Sequence, residues 1–163
     1  MDIEFGRLPE VDTAAIVALM TSASVRRHMP LTSDGFDEER CASFVAAKER
    51  LWAEHGYGPW AFLAGGVFLG WGGVQPEGDD ADLALVLDRA AWGLGAAICR
   101  EVLRRAFTEQ GHDSVTVLLP PSRGRAAGLR RLGFTPDGEV EIDGHRFPRH
   151  RLGRGTWLAE QQP

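Results

Sequence analysis

The sequence predicts a mixed α+β fold of about seven strands and four helices. Three observations carry that reading. Leu83 to Phe107 runs from an apolar strand through a glycine-containing turn, Trp92-Gly93-Leu94-Gly95-Ala96-Ala97, into an amphipathic helix. Two pairs of apolar runs are joined by Gly65-Gly66 and by Asp143-Gly144, the chemistry of tight hairpins. Helical spacing recurs before the first hairpin and again between the strands of the second half.

Taken in order, Asp2 to Leu8 alternates and reads as a strand that Pro9 ends. From Val11, residues Ile16, Leu19 and Met20 keep helical spacing, with Asp12 or Thr13 as cap. Ser22 to Asp34 lacks periodicity and contains a proline, so a loop or broken helix is expected there. A longer helix runs from Asp37 to about His55. Ser33 or Asp34 can cap it, Asp37, Glu38 and Glu39 suit the positive end of its dipole, and Gly56 and Gly58 stop it. Trp60 to Leu63 and Val67 to Val74 form the first hairpin. Gly70, Gly72 and Gly73 inside its second strand mean a bulge, a crowded strand crossing or close approach by a ligand, and the sequence does not choose.

Gln75 to Asp80 reads as an acidic turn and Ala81 to Leu87 as a central strand. Leu83, Leu85 and Leu87 face one way, and Asp82, Ala84 and Val86 the other. The helix after the glycine turn buries Ile98, Val102, Leu103, Ala106 and Phe107 and ends at Gly111. Val115 to Leu119 is a short buried strand. Pro120-Pro121 breaks it, Ser122 to Leu132 is a second helix ended by Gly133, and Phe134 to Ile142 with His145 to Leu152 close the fold as a hairpin. The tail from Gly153 is expected to fray unless Trp157 packs back.

At 163 residues the chain is expected to be a single domain spanning 1–163, with 153–163 loosely attached. Cys41 and Cys99 lack paired or metal-ligand spacing and read as reduced core thiols. No leader pattern or membrane-length apolar run is present, so a cytoplasmic protein is expected. Residues 1–90 hold 15 acidic and 7 basic side chains, and residues 91–163 hold 8 acidic side chains and 11 arginines, within a total of −5. That balance argues against a general nucleic-acid binder, although RGRAAGLRR leaves an arginine-rich ribosome-associated module as a minor alternative. No His/Cys/Asp cluster has metal spacing, so no metal is expected.

The order of elements, the Trp-Gly-x-Gly-x-Ala turn and the segment Leu129-Arg130-Arg131-Leu132-Gly133-Phe134 together resemble the GCN5-related N-acetyltransferases (GNATs). Within them the chain looks most like the branch of ribosomal-protein alanine N-acetyltransferases. The resemblance implies a central, twisted, mostly antiparallel sheet. It also implies acetyl-CoA as co-substrate, a primary amine as acceptor (a protein N-terminus or a small molecule), direct transfer in a ternary complex and a possible homodimer. The family's acetyl-CoA turn falls on Trp92, Gly95 and Ala97. With Gly93, Leu94 and Ala96 these residues would present backbone N–H groups to a pyrophosphate, Gly95 leaving room for its approach.

By the same resemblance Val86 and Leu87 would offer backbone N–H groups to the thioester carbonyl, and Ser122 and Arg125 occupy positions where the branch has Asn and Ser. Ser122 would contact the sulfur or pantetheine, or merely cap its helix. Arg123, Arg125, Arg130 and Arg131 would meet a phosphate or stand in solvent. His28, His145 and His150 flank the expected acceptor groove, where isolated histidines are usually bystanders. Asp82 is the leading candidate for the base that deprotonates the amine, against the alternative of a solvated carboxylate; Glu77, Asp79 and Asp80 rank below it. The branch's Tyr on the last helix is absent, and the chain's only tyrosine is Tyr57. A domain that binds acyl-CoA without catalysis is therefore the rival expectation.

Overall fold

The computed structural model describes residues 2–28, 35–119 and 126–162. Its elements are β1 (Glu4–Gly6), α1 (Thr13–Met20), α2 (Ala23–His28), α3 (Glu38–His55), β2 (Pro59–Ala64), β3 (Val67–Glu77), β4 (Asp80–Leu87), α4 (Gly95–Thr108), β5 (Ser114–Leu118), α5 (Ala126–Arg131), β6 (Thr135–Ile142), β7 (His145–Gly153) and α6 (Arg154–Glu160). The seven strands form one sheet in the order β1-β2-β3-β4-β5-β7-β6. Every neighbouring pair is antiparallel except β4 and β5, which α4 connects as a parallel crossover.

The alternation in β4 sorts the core onto two faces. Leu83 and Leu87 pack against Ile98, Val102, Leu103, Ala106 and Phe107 of α4. On the other face Val86 joins Trp71 of β3 and Ala61 of β2 beneath Ile16, Leu19 and Met20 of α1 and Cys41 of α3. The helices end where local chemistry says they should. Asp37 accepts from the Arg40 N–H at 2.9 Å and caps α3, the role expected of Ser33 or Asp34, which lie outside the described residues. Gly56, at φ 78°, closes α3 in the left-handed conformation.

Several expectations are corrected. Among the described residues six helices stand where about four were expected, the additions being α2, within the expected loop, and α6, within the expected frayed tail. Both are short and owe their existence to packing: Val25 of α2 and Trp157 of α6 are buried, and Trp157 lies 5.4 Å from the Phe107 ring centroid. The opening strand is only Glu4–Gly6, because Leu8–Glu10 coils into a single 3₁₀ turn around Pro9. The acidic turn shrinks to Gly78 and Asp79, since β3 continues through Pro76 to Glu77. Pro76 is tolerated there because β2 begins at Pro59, opposite Gly73, so no strand needs its missing N–H on that side. The described part of α5 covers Ala126–Arg131, within the expected 122–132.

The three strand glycines also receive their reason. A Cβ at Gly70 would lie 2.1 Å from the Val86 carbonyl oxygen, and one at Gly72 would lie 2.4 Å from that of Ala84. The glycines let β3 and β4 approach one another closely. Gly73, at φ 148°, is crowded instead by Gly58 and Pro59. The crowded-strand reading therefore holds for all three, and Gly70 also stands beside the bulge where the β2–β3 register shifts between Phe62 and Leu63.

Candidate active site

β4 pairs with β3 along its whole length but with β5 at a single bridge, Asp82 to Thr116. Beyond that bridge the two parallel strands part, and the edge of β4 from Ala84 to Leu87 faces an opening. Backbone parity decides which groups point into it. The Asp88 N–H bonds to the Leu69 carbonyl at 2.8 Å, and the β3–β4 register runs without a shift from there. Residues 88, 86, 84 and 82 thus turn their peptide groups to β3, while 87 and 85 turn theirs to the opening. Of the expected pair of donors, Leu87 directs its N–H into the opening, and the Val86 N–H belongs to the β3 ladder. The Leu87 carbonyl, on the same side, accepts from the Trp92 indole N–H at 3.2 Å.

The glycine turn is more regular than expected. Arg89–Leu94 forms a 3₁₀ helix that runs straight into α4, capped by the Asp88 carboxylate, which accepts from the Ala90 N–H at 2.9 Å. Gly93 and Leu94 are inside that helix, and the Gly95 N–H is spent on the Trp92 carbonyl. Ala96 and Ala97 stand in the first turn of α4, where N–H groups have no carbonyl four residues back within the helix. A Cβ at Gly95 would meet nothing closer than Leu87 Cδ1 at 3.6 Å, so the protein's own packing does not demand a glycine there.

Asp82 stands at the bridge itself. The Thr116 hydroxyl donates to its Oδ1 at 2.9 Å, and Thr116 is buried. Burial pushes the Asp82 carboxyl up to about 7; the Thr116 hydrogen bond pulls it down, and the charges of Glu77 and Asp80 push it further up. Asp82 is half-buried, not a fully exposed carboxylate. Asp80, one of the lesser base candidates, is bound to Arg151 Nη1 at 2.9 Å and lies 3.7 Å from Arg149. Asp137 closes that network, accepting from Arg151 Nε at 2.8 Å.

On the face of the sheet shared by Asp82 and α3, Gln75 of β3 lies directly opposite Asp82. Its Oε1 accepts from Lys48 of α3, whose ammonium stands 5.4 Å from the Phe44 ring centroid and 5.1 Å from that of Trp71. Lys48, Gln75, Thr116, Asp137, Arg149 and Arg151 were not singled out from the sequence. The strand residues among them come together through register, and Lys48 through the packing of α3 on β3, neither of which a local motif encodes. Among the histidines, His145 is exposed at a hairpin turn, and His150 is buried with its Nδ1 lacking a hydrogen-bond partner. Arg130 and Arg131 are exposed on α5, while Ser122, Arg123, Arg125 and the side chain of His28 lie outside the described residues. Among the described residues no group of three or more His, Cys, Asp or Glu side chains is arranged to hold a metal, and no helix is long and apolar enough to cross a membrane.

A sheet that splays after its central strand, above a glycine-bearing turn that opens a helix, defines the GNAT fold class. The profile described as "Acetyltransferase (GNAT) domain" matches residues 3–135, and the chain belongs to that family of acetyltransferases. Solved structures agree on the fold. An acetyltransferase from Agrobacterium tumefaciens strain C58 superposes with a TM-score of 0.75 at 18% identity, covering 92% of this chain and 90% of that one. Aminoglycoside acetyltransferase AAC(6')-Ib in complex with coenzyme A gives 0.74 at 14% identity over 98% of both chains. Its complex with paromomycin and acetyl-CoA gives 0.73 at 15%, covering 98% and 97%. No curated protein matches the chain.

Proposed function

We propose that the protein moves an acetyl group from acetyl-CoA to a primary amine by direct attack in a ternary complex, as the ribosomal-protein alanine N-acetyltransferase branch does. The observation that carries this reading is a carboxylate with a pKa of about 7 at the point where β4 and β5 part. A general base works best when its pKa lies near the operating pH.

The residues fit the cofactor. Gly95 is left unfilled by the protein's own packing, and Ala96 and Ala97 keep the first turn of α4 slim, as a pyrophosphate at a helix N-terminus requires. The Leu87 N–H is aimed into the opening, where it would hold the thioester carbonyl oxygen and oppose the negative charge that develops there. Acetyl-CoA supplies the acetyl thioester, whose C–S bond breaks as the C–N bond to the amine forms. Asp82 stands five residues back along β4 from Leu87, about 16 Å between Cα atoms, so it takes the proton that the amine gives up through intervening water. The leaving sulfur resembles a cysteine thiol, with a pKa of about 8.5, and takes its proton from solvent at little cost. Trp92 completes the turn by tying its indole to the Leu87 carbonyl.

The test has two parts. Titration with acetyl-CoA by calorimetry measures binding, and thiol release with a panel of amines measures transfer. Binding with no release above the hydrolysis blank would favour an inactive acyl-CoA-binding domain, a reading that the absence of a last-helix Tyr and the presence of Ser122 in place of Asn also support. No binding would remove both.

A further inference from the structure

We propose, resting on the acetyl-transfer reading above, that the acceptor is a small amino carboxylate, its amine delivered to Asp82 and its carboxylate held by the Lys48 ammonium. Lys48 is the observation that leads there. It is half-buried, and its partners are Gln75 Oε1 and the faces of Phe44 and Trp71, all of them neutral. Among the described residues it has no ion pair.

Other half-buried basic side chains are matched with carboxylates. Arg7 sits on Glu49 at 2.9 Å, Arg105 on Glu101 at 2.8 Å, and Arg151 on Asp80 and Asp137 at 2.9 and 2.8 Å. An ammonium carries three donors, and ring faces satisfy none of them with a lone pair. Lys48 is therefore a cation held in place by aromatic walls with its counter-charge unassigned. Burying a charge without one is costly, and an anion brought by a ligand removes that cost.

Its position gives the ligand a second end. Gln75 and Asp82 are direct partners in the antiparallel ladder and belong to a hydrogen-bonded pair, whose Cα atoms lie about 5.5 Å apart. Lys48 reaches the far end of the Gln75 side chain, on the α3 side of the sheet, and does not itself pair with Asp82. Lys48 touches the side chains of Gln75 and Trp71, the ladder partners of Asp82 and Val86, so the cation lies beside the stretch of β4 between the acid and the Leu87 N–H and suits a molecule whose amine and carboxylate are separated by one to a few carbons. Asp82 draws the ammonium of such a zwitterion by its charge and takes its proton through water, leaving the amine free to meet the thioester at the Leu87 N–H. A polycationic acceptor offers Lys48 nothing but repulsion.

The experiment uses the full chain with saturating acetyl-CoA, reading thiol release. The twenty L-amino acids, β-alanine and 4-aminobutyrate are each paired with their amide, and kanamycin and spermidine serve as cationic amines. At least one amino acid is expected to exceed its amide tenfold or more in kcat/KM. Lys48→Met should bring that ratio to within about twofold of one by raising KM for the carboxylate alone, and Lys48→Arg should keep the preference. Amides or polyamines that match or exceed every amino acid would overturn the proposal while leaving acetyl transfer standing. So would a Lys48→Met loss shared equally by acid and amide. If Lys48→Met does not fold, the wild-type ratio and Lys48→Arg decide. No release with any amine would remove the acetyl-transfer reading itself, and this proposal with it.

Discussion

Asp82 keeps its proton to about pH 7 chiefly because it is buried, and two measurable consequences follow from that one cause. A base must be deprotonated to act, so kcat/KM should rise with pH through an apparent pKa of about 7 and level off above it. Asp82→Asn should lower the rate by 10²-fold or more and flatten that profile, with acetyl-CoA affinity unchanged by calorimetry. A variant that keeps the inflection would remove Asp82 as the base. The second consequence concerns stability. The unfolded chain gives up this proton near pH 4 and the folded chain near pH 7, so between them the folded state binds more protons and stability falls as pH rises. The loss is about 3 kcal/mol once solvent screening is allowed for. Asp82→Asn still accepts from Thr116 without the buried charge, so its Tm should match wild type near pH 4 and exceed it at pH 8. A difference in Tm that does not vary with pH would show that the carboxylate is not ionising in a buried setting.

At the scale of elements, glycines with the same composition signal perform opposite tasks. Gly72 is required by the protein, since a methyl there would strike the Ala84 carbonyl at 2.4 Å. Gly72→Ala should cost about 3 kcal/mol and lower Tm by roughly 10 °C in a thermal melt. Gly95 is not required by the protein: at φ −56° it is ordinary helix with room for a Cβ. Gly95→Ala should therefore leave Tm unchanged or raise it slightly, by helix propensity, while weakening acetyl-CoA binding at least tenfold. Loss of stability without loss of affinity would make Gly95 a packing residue. The same contrast explains what was legible in the sequence. Alternation assigned both faces of β4, and helical spacing assigned the buried face of α4, because those signals are local and strong. The purpose of Gly70, Gly72 and Gly73 depends on the distance to another strand, which no local pattern carries.

The whole molecule is closed by its last helix. Trp157 of α6 packs on Phe107 of α4 in the core on that face of the sheet, so the tail is part of the core. Trp157→Ala should cost about 3 to 5 kcal/mol, seen as a shift in the urea midpoint. A change under about 1 kcal/mol would return the tail to the frayed state the sequence suggested. That helix was not legible because seven residues hold a helical form only when something receives their apolar side chain. The candidate site was legible in the same partial way. Asp82 and the glycine turn stand within one continuous stretch of chain, whereas Gln75, Thr116 and Arg151 come from three strands brought together by register and Lys48 from a helix that reaches Gln75.

The single bridge between β4 and β5 has a mechanical meaning as well as a chemical one. It divides the sheet into two leaves, β1 to β4 and β5 to β6, stitched at Asp82–Thr116 and fastened beside that stitch by Asp80 to Arg149 and Arg151. The first leaf lies in the acidic half of the chain and the second in its arginine-rich half, so the uneven charge pulls across the seam that joins them. The proposed base is thus also the rivet. Each time Asp82 accepts a proton, the hydrogen bond holding the two leaves together gives up its charged acceptor, and the chemical step and the tightness of the joint become one event.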